Sequence, residues 1–378
     1  MRVLNVVDGL DARYGGGTGE RTLQMSRFLV KAGVKCTVMS VDMGANPEFK
    51  NALTGVNIVM LPCLYKRFYV PTFSATKIKN VVESADVIHL MSHWAVINAL
   101  VYLYARLMKK PYVVCPAGSL PVHDRSKLLK RLYNWIIGKK IILNASLLIA
   151  VTENEVTQFK PYGVDINKVS VIPNAIDKED YFKRDDQGFR KKYGLGDHPI
   201  ILFVGRLNPI KGPDLLLTAF CKVKDKFLDY HLVFAGLDEG LLPELQKTVK
   251  EFGVEERVHF IGYVEKNIIS IAYYASNLLV IPSRYEAMSI VVLEAGITAT
   301  PVLITDQCGF DVAKIGGGMV VSPSVDGLQK GLIEMLSNRD RLKTMGVKLQ
   351  KYITENLTWD IIVYKYIDLY KQILERAK

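Results

Sequence analysis

Glu286 and Glu294 stand eight residues apart in SRYEAMSIVVLEAG, residues 283–296, and the second lies inside an otherwise apolar run. Val291, Val292, Leu293, Ala295 and Ile297 leave no polar face around it. An unpaired buried carboxylate costs several kcal/mol, about the whole stability margin of a domain. Something must therefore satisfy Glu294. A second constellation follows ILFVG, where Arg206 precedes Lys211, Gly212 and Pro213. Proline in a first helical turn fits a helix start. Two cations beside such an N-terminus form a site for a diphosphate, where guanidinium, ammonium and free backbone N–H groups converge; a solvated surface pair is the plain alternative. A third is YGGGTGERTLQMSRFLVKAG, in which Gly15, Gly16, Gly17 and Gly19 precede an amphipathic helix. Glycines there let the backbone approach a phosphate or sugar closely, or simply make a flexible loop. The spacing departs from GxGxxG, because Glu20 stands three residues beyond Gly17, and this weakens a nicotinamide-binding reading.

These side chains need strands to hold them. Apolar, β-branched runs predict strands near 3–7, 36–41, 57–61, 87–90, 112–115 and 147–151, with amphipathic helical stretches between most of them. Residues 176–199 have alternating charges, few aliphatics and a closing proline, and mark a domain junction. Beyond it the alternation restarts with IILFVG, HLVFAG, RVHFIG, LLVIPS and PVLIT. Short strands alternating with helices indicate an α/β fold with a mostly parallel, doubly wound sheet, twice over. Ligands of such sheets sit at the carboxyl ends of the strands, which is where Arg206, Lys211, Glu286 and the glycines fall.

The 378 residues, 49% of them hydrophobic, exceed what one core usually holds and suggest two domains. The net charge of +11 is lopsided: residues 1–176 hold 22 Lys and Arg against 11 Asp and Glu, while the remainder holds 27 of each. A one-sided field of this kind favours an anionic partner for the first half. Five cysteines, at 36, 63, 115, 221 and 308, show neither CxxC pairs nor metal-ligand spacing and are read as reduced packing residues of a cytoplasmic protein. MRVLNVVDG opens directly as a strand, so no secretory leader is expected. The longest apolar runs fall short of the roughly 18–20 residues that span a bilayer.

The order and spacing of several motifs resemble those of retaining glycosyltransferases of family 4, with the GT-B fold of two Rossmann-like domains facing across a cleft. The E-x7-E pattern of YEAMSIVVLEA carries most of it, with the upstream PS of IPSRYEA and the downstream PV and CG of TPVLITDQCG. FVGRLNPIKGPDLLLTAF resembles the family's G-R-x(4)-K-G segment, VIPNAID its interdomain strand end and LTWDIIVYKYIDLY its closing helix. The resemblance covers nearly the whole chain. It implies an acceptor domain over 1–176, completed by a closing helix over 359–378 that packs back on it, and a donor domain over 177–358. It further implies a nucleotide-sugar donor, a UDP- or GDP-sugar, whose ribose hydroxyls are bound by Glu294 and whose sugar faces Glu286. Backbone N–H groups over 287–290, at Met288, Ser289 and Ile290, would meet the sugar or phosphate, and the base would lie on backbone near Val264. Arg206 and Lys211 would stabilise the departing diphosphate in place of a divalent ion. The chain has no Asp-x-Asp sequence, and neither metal nor other cofactor is expected.

Two departures stand out. The family's P-H-G or P-R-G turn reads CPAGSL, with Ala117 in the polar position, and its phenylalanine-glycine pair after the first glutamate reads Met288 and Ser289. The acceptor is expected on the basic first half. RSKLLKRLYNWIIGKK, residues 125–140, interleaves six basic residues with leucines, isoleucines, Tyr133 and Trp135, and YKRFY, residues 65–69, repeats the mixture. Such a helix can lie in an anionic headgroup layer or be a core helix with a solvated basic edge. Membrane contact would make a lipid-linked or nascent glycan the acceptor, within bacterial cell-surface polysaccharide synthesis such as lipopolysaccharide, with the protein peripheral on the inner face of the plasma membrane. His89, ending DVIH, and His123 are candidate acceptor-side groups, with satisfied core or loop histidines as the other account. Three alternatives stay open: a sugar-nucleotide epimerase or hydrolase on the same fold, a catalytically silent partner subunit, and a nucleic-acid binder. The last rests on basicity alone and lacks any recognition module.

Overall fold

The computed structural model describes residues 1–10, 16–44, 53–122, 126–182 and 185–376. The chain divides into two units, Met1–Ala175 with Trp359–Lys378, and Ile176–Thr358.

In the first unit the apolar runs become strands β1 (Arg2–Val6), β2 (Lys35–Asp42), β3 (Asn57–Tyr65), β4 (Val70–Pro71), β5 (Val87–Met91), β6 (Tyr112–Cys115), β7 (Leu147–Ala150) and β8 (Val169–Val171). They form one sheet in the order β4-β3-β2-β1-β5-β6-β7-β8. Every pairing is parallel except β3 with the short edge strand β4. Parallel strands need helices on both faces of the sheet. Hence β5, β6 and β7 are buried along their whole length. The helix Gly16–Lys31 packs against the closing helix Trp359–Arg376 of the same unit: Phe28 stacks on Trp359, and Lys31 pairs with Asp360 at 3.0 Å. Arg21, almost fully buried, donates to Asn174 at 2.5 Å, to the Ile172 carbonyl at 3.0 Å and to the Tyr366 hydroxyl. The last helix is thereby tied into the first unit by hydrogen bonds that span more than 300 residues of sequence.

The second unit holds β9 (Ile200–Val204), β10 (His231–Ala235), β11 (Val258–Gly262), β12 (Leu278–Ile281), β13 (Val302–Thr305) and β14 (Gly318–Val321), in the order β11-β10-β9-β12-β13-β14 and parallel throughout. Its core gathers Phe203, Leu216, Phe220, Phe234, Val280 and Leu303 between sheet and helices.

Three strands were not evident in the sequence. β4 has two residues, β8 has three half-buried ones, and β14 opens on a glycine. None is long enough to display a period. Both sheets reverse direction once: strands are added outward from β1 or β9, and the chain then crosses back to lay β5 or β12 on the other side. Loops leaving the strands on either side of such a reversal splay apart and open a crevice at the carboxyl ends.

Candidate functional site

In the second unit that crevice lies between β9 and β12. Gly205 and Arg206 follow β9, and the loop ends at Gly212, the N-cap of the helix Pro213–Val223. Pro282 and Ser283 follow β12, and that loop ends at Ser289, the N-cap of the helix Ile290–Ile297. Neither cap residue makes a side-chain capping bond. In the first helix Pro213 has no N–H and Leu215 donates to the Gly212 carbonyl at 3.0 Å, which leaves the start of the Ile290–Ile297 helix as the richer source of backbone donors for a ligand. The loops come close because glycine permits it. A Cβ on Gly212, whose φ is +69°, would lie 2.2 Å from the Pro282 carbonyl oxygen. Behind them, a Cβ on Gly309, at φ +65°, would lie 1.8 Å from the Ala287 carbonyl oxygen. The CG pair of DQCG is thus a packing requirement of the glutamate loop.

Lys211 forms an ion pair with Glu286, joining the two loops across the crevice. The same carboxylate oxygen accepts from Ser283 at 3.2 Å, and the Ser283 carbonyl accepts from Thr305 at 2.6 Å. The Glu286 N–H donates to the Gln307 carbonyl at 3.0 Å. Arg206, largely exposed, pairs with Glu239 at 2.7 Å. Asn208 donates to the other Glu239 oxygen at 2.7 Å and accepts from the Lys211 N–H at 3.0 Å. Arg284 holds Asp214 in a bidentate pair at 2.9 and 2.5 Å and donates to the Pro209 carbonyl at 2.5 Å. Its guanidinium pKa is raised, first by the Asp214 hydrogen bond. Each described cation of the crevice therefore stands beside a carboxylate, and an arriving anion competes for Lys211 and Arg206 against these partners. The exposed Arg206 pair is worth little and exchanges easily.

Glu294 sits on the helix Ile290–Ile297, half-buried, and its carboxylate is satisfied by two tyrosines. Tyr181 donates to one oxygen at 2.8 Å and Tyr273 to the other at 2.5 Å. Burial, then the Glu294 charge, pushes the Tyr273 hydroxyl well above its ordinary range, so it stays a neutral donor. Charge-assisted hydrogen bonds of this kind offset part of the carboxylate's desolvation. They also fix its orientation.

Glu286, Arg206, Lys211, the 287–290 segment and Glu294 thus share one unit; Lys211 and Glu286 meet across the crevice, and Glu294 lies on the helix that the glutamate loop leads into. Met288 and Ser289 are buried, and Ser289 donates its N–H to the Cys308 carbonyl at 3.4 Å. Val264 follows β11, the strand beside β10, whose end is fastened by the Gly236 N–H donating to the Gly262 carbonyl at 2.8 Å. Gly16 and Gly17 begin the helix Gly16–Lys31 in the first unit, on the segment that follows β1. Gly15 and His123 lie outside the described residues.

His89 requires a correction. It lies within β5, fully enclosed, with Nδ1 2.7 Å from the Tyr370 hydroxyl and its ring against Tyr366. Burial, then the nearby Arg21 charge, lowers its pKa to about 3. A neutral histidine inside the core offers nothing to an acceptor. The Ala117 turn keeps its shape without a polar side chain: Ala117 and Gly118 have φ of +49° and +83°, and the buried Glu155 accepts from the Gly118 and Val151 N–H groups at 2.5 and 2.6 Å.

Sequence reasoning missed Tyr181, Tyr273, Asn208, Glu239 and the Asp214–Arg284 pair. Tyr181 and Tyr273 are 113 and 21 residues from the glutamate they orient, and no local spacing relates them. Arg284 did stand inside the quoted glutamate segment, where a cation two residues before Glu286 was the available signal.

Known proteins share this architecture. The sequence model for glycosyl transferases group 1 matches residues 185–356, and that for glycosyltransferase family 4 matches residues 15–180. A D-inositol 3-phosphate glycosyltransferase of Nocardia farcinica is 31% identical over 221 residues, 56% of this chain and 49% of that protein. The matched stretch thus spans about half the length of that relative. An uncharacterized glycosyltransferase of Methanocaldococcus jannaschii is 26% identical over 402 aligned positions covering 99% of both chains. Among solved structures, Anabaena HepE in complex with UDP and glucose superposes with a TM-score of 0.78 at 19% identity, over 98% of this chain and 100% of that one. This likeness establishes the GT-B fold.

Proposed function

Because the chain belongs to family 4 of the glycosyltransferases, we propose that it moves a sugar from a nucleoside-diphosphate sugar to a hydroxyl of a lipid-linked or nascent glycan, with retention at the anomeric carbon. The observation that carries this reading is the meeting of Lys211 and Glu286 across the β9/β12 crevice, beside two uncapped helix N-termini. Lys211 leaves Glu286 for the diphosphate, with Arg206 on the same group. Glu286 is then released to accept a hydroxyl of the donor sugar, and Glu294, already oriented by Tyr181 and Tyr273, takes the ribose hydroxyls. The bond from the anomeric carbon to the diphosphate oxygen breaks as negative charge grows on that oxygen, and the two cations stabilise it. The acceptor oxygen bonds to the same face of the carbon, and its proton passes to the departing phosphate. No divalent ion has a part in this scheme.

UDP bound to HepE favours testing uridine donors first. The first-half charge excess and the exposed apolar and basic face over 127–140 favour an anionic membrane surface as the place of the acceptor, with the protein peripheral on it. No described helix is long and apolar enough to cross a membrane.

A thermal-shift panel of UDP-, GDP-, CMP- and ADP-sugars, with magnesium or with chelator, tests the donor half. One nucleotide class should stabilise the protein equally in both, and Lys211→Ala and Glu294→Ala should abolish most of the shift. Stabilisation that survives both substitutions refutes the site, and a shift that needs magnesium refutes the metal-free scheme.

A further inference from the structure

The first unit holds a cavity that the donor chemistry does not use. Its volume is about 360 Å³; six of its walls are the apolar or aromatic Leu120, Pro121, Val122, Trp135, Pro161 and Tyr162, and the polar Asn134, Gln158 and Lys139 complete them. At ~30 Å³ for a group the size of water, that is room for about a dozen such groups. A lining two-thirds apolar, with a cation among its three polar members, suits a hydrocarbon segment that carries an anionic head better than a nucleotide.

The helical segment beside it is built around this cavity. Lys127–Tyr133 and Lys139–Leu143 are joined by a π-helical turn, Asn134–Gly138. A π turn carries an extra residue and re-aims the side chains that follow. Here both Trp135, on the turn, and Lys139, just after it, line the cavity. Asn134 fastens the turn from inside: it bonds His93 Nε2 at 2.8 Å and donates to the Tyr162 hydroxyl at 3.0 Å, which donates to the Leu120 carbonyl at 3.2 Å. Gly138 is needed as well, since a Cβ there would lie 2.5 Å from Asn134 Oδ1.

The outer face of the same segment is apolar and uncovered. Leu128, Leu129, Leu132, Trp135 and Ile136 recur at helical spacing, with Leu128 80% and Trp135 81% exposed. Lys127, Lys130, Arg131, Lys139 and Lys140 flank them, and no acidic residue occurs between Asp124 and Glu153. Lys139 makes no ion pair with a described residue. Apolar side chains flanked along their own segment by cations and no acids complement an anionic lipid surface.

We propose that the cavity takes one hydrocarbon chain of a membrane lipid phosphate, with the phosphate against Lys139 and the exposed leucines resting on the bilayer from which the chain comes. The occupant is the lipid-linked acceptor of the proposed function and rests on that reading, but its binding can be read without any sugar transfer.

Trp94 is half-buried and Trp359 buried, so Trp135 is the exposed reporter. The full chain is titrated with dodecyl phosphate below its micellar concentration, with inorganic phosphate, with dodecyl maltoside, and with phosphatidylcholine vesicles with and without phosphatidylglycerol. Dodecyl phosphate should shift Trp135 emission saturably to shorter wavelength, a response absent from Trp135→Phe. Inorganic phosphate should do nothing, and dodecyl maltoside should bind about tenfold more weakly for want of the charge-assisted contact. Val122→Phe, which fills the cavity, and Lys139→Gln, which is solvent-exposed and safe for folding, should each weaken dodecyl phosphate about tenfold. Leu128→Ser with Leu129→Ser should reduce binding to phosphatidylglycerol vesicles and leave dodecyl phosphate unchanged. Equal binding of dodecyl phosphate by Lys139→Gln and the wild type overturns the proposal, as does vesicle binding with no saturable response to the single chain. A failed nucleotide-sugar shift beside an intact dodecyl phosphate response would sink the donor assignment and leave the cavity standing; the opposite pair of results would do the reverse.

Discussion

Tyr273→Phe removes one oxygen atom and leaves a carboxylate short of a hydrogen bond. The hydroxyl lies 2.5 Å from Glu294, and the tyrosine is fully buried, so nothing replaces the bond on the protein side. A hydrogen bond to a charged group contributes roughly 1.5–3 kcal/mol. Glu294 is itself only half-buried and can recruit water, which favours the lower half of that range. A loss of about 2 kcal/mol in a unit of this size lowers its melting transition by about 4–8 °C. Glu294→Gln should cost a similar amount, because an amide presents one acceptor oxygen to two tyrosine donors. The effects should not add. Calorimetric melts of the wild type, both single variants and the double variant form a cycle whose coupling energy should be at least ~1 kcal/mol. The same four proteins, titrated with the stabilising nucleotide, should show Tyr273→Phe binding about tenfold more weakly, since the carboxylate is no longer held toward the ribose. Additive melts, or a Tyr273→Phe protein that binds nucleotide like the wild type, would refute the claim that the tyrosines orient Glu294.

Gly309→Ala forces a Cβ to within 1.8 Å of the Ala287 carbonyl at a φ of +65°; it should cost more than about 2 kcal/mol and displace the glutamate loop, read as a lower melting point and loss of the nucleotide shift. Arg284→Lys keeps the charge but loses the bidentate grip on Asp214, so nucleotide affinity should fall about tenfold through misplacement of Lys211, with little change in melting; unchanged affinity would mean the clamp does not position that lysine. Three buried histidines set an acid limit. Burial lowers His89 to about 3 and His93 to about 4; in His231, held at about 4, burial is joined by the charges of His198, His259 and Arg257. The unfolded chain takes up these protons near pH 6.5 and the folded one does not, so stability is full above that value and falls as pH drops toward 4. Melting points measured from pH 7.5 to 4 should decline, more gently in His231→Asn; a flat profile would contradict the buried neutral histidines.

The separation of the chain into two α/β halves was legible because both sheets, apart from the short edge strand β4, are parallel, which forces continuous apolar strands between amphipathic helices. Glu294 advertised itself for the same reason: a carboxylate among valines and leucines is conspicuous wherever burial is expected. Lys211 and Gly212 were legible as a helix start, because proline and glycine act locally. Sequence did not disclose what lay across the chain. His89 read as a strand-end group, and only the closing helix, 281 residues further on, showed it sealed beneath Tyr370. The partners of Glu294, the Asp214–Arg284 clamp and the cavity beside Trp135 all depend on contacts whose sequence separation carries no period. Local composition decides which segments become strands and helices, because hydrogen bonding and burial pattern act within a few residues. Which side chain then satisfies a buried charge is decided by packing, which brings together groups that the chain keeps far apart.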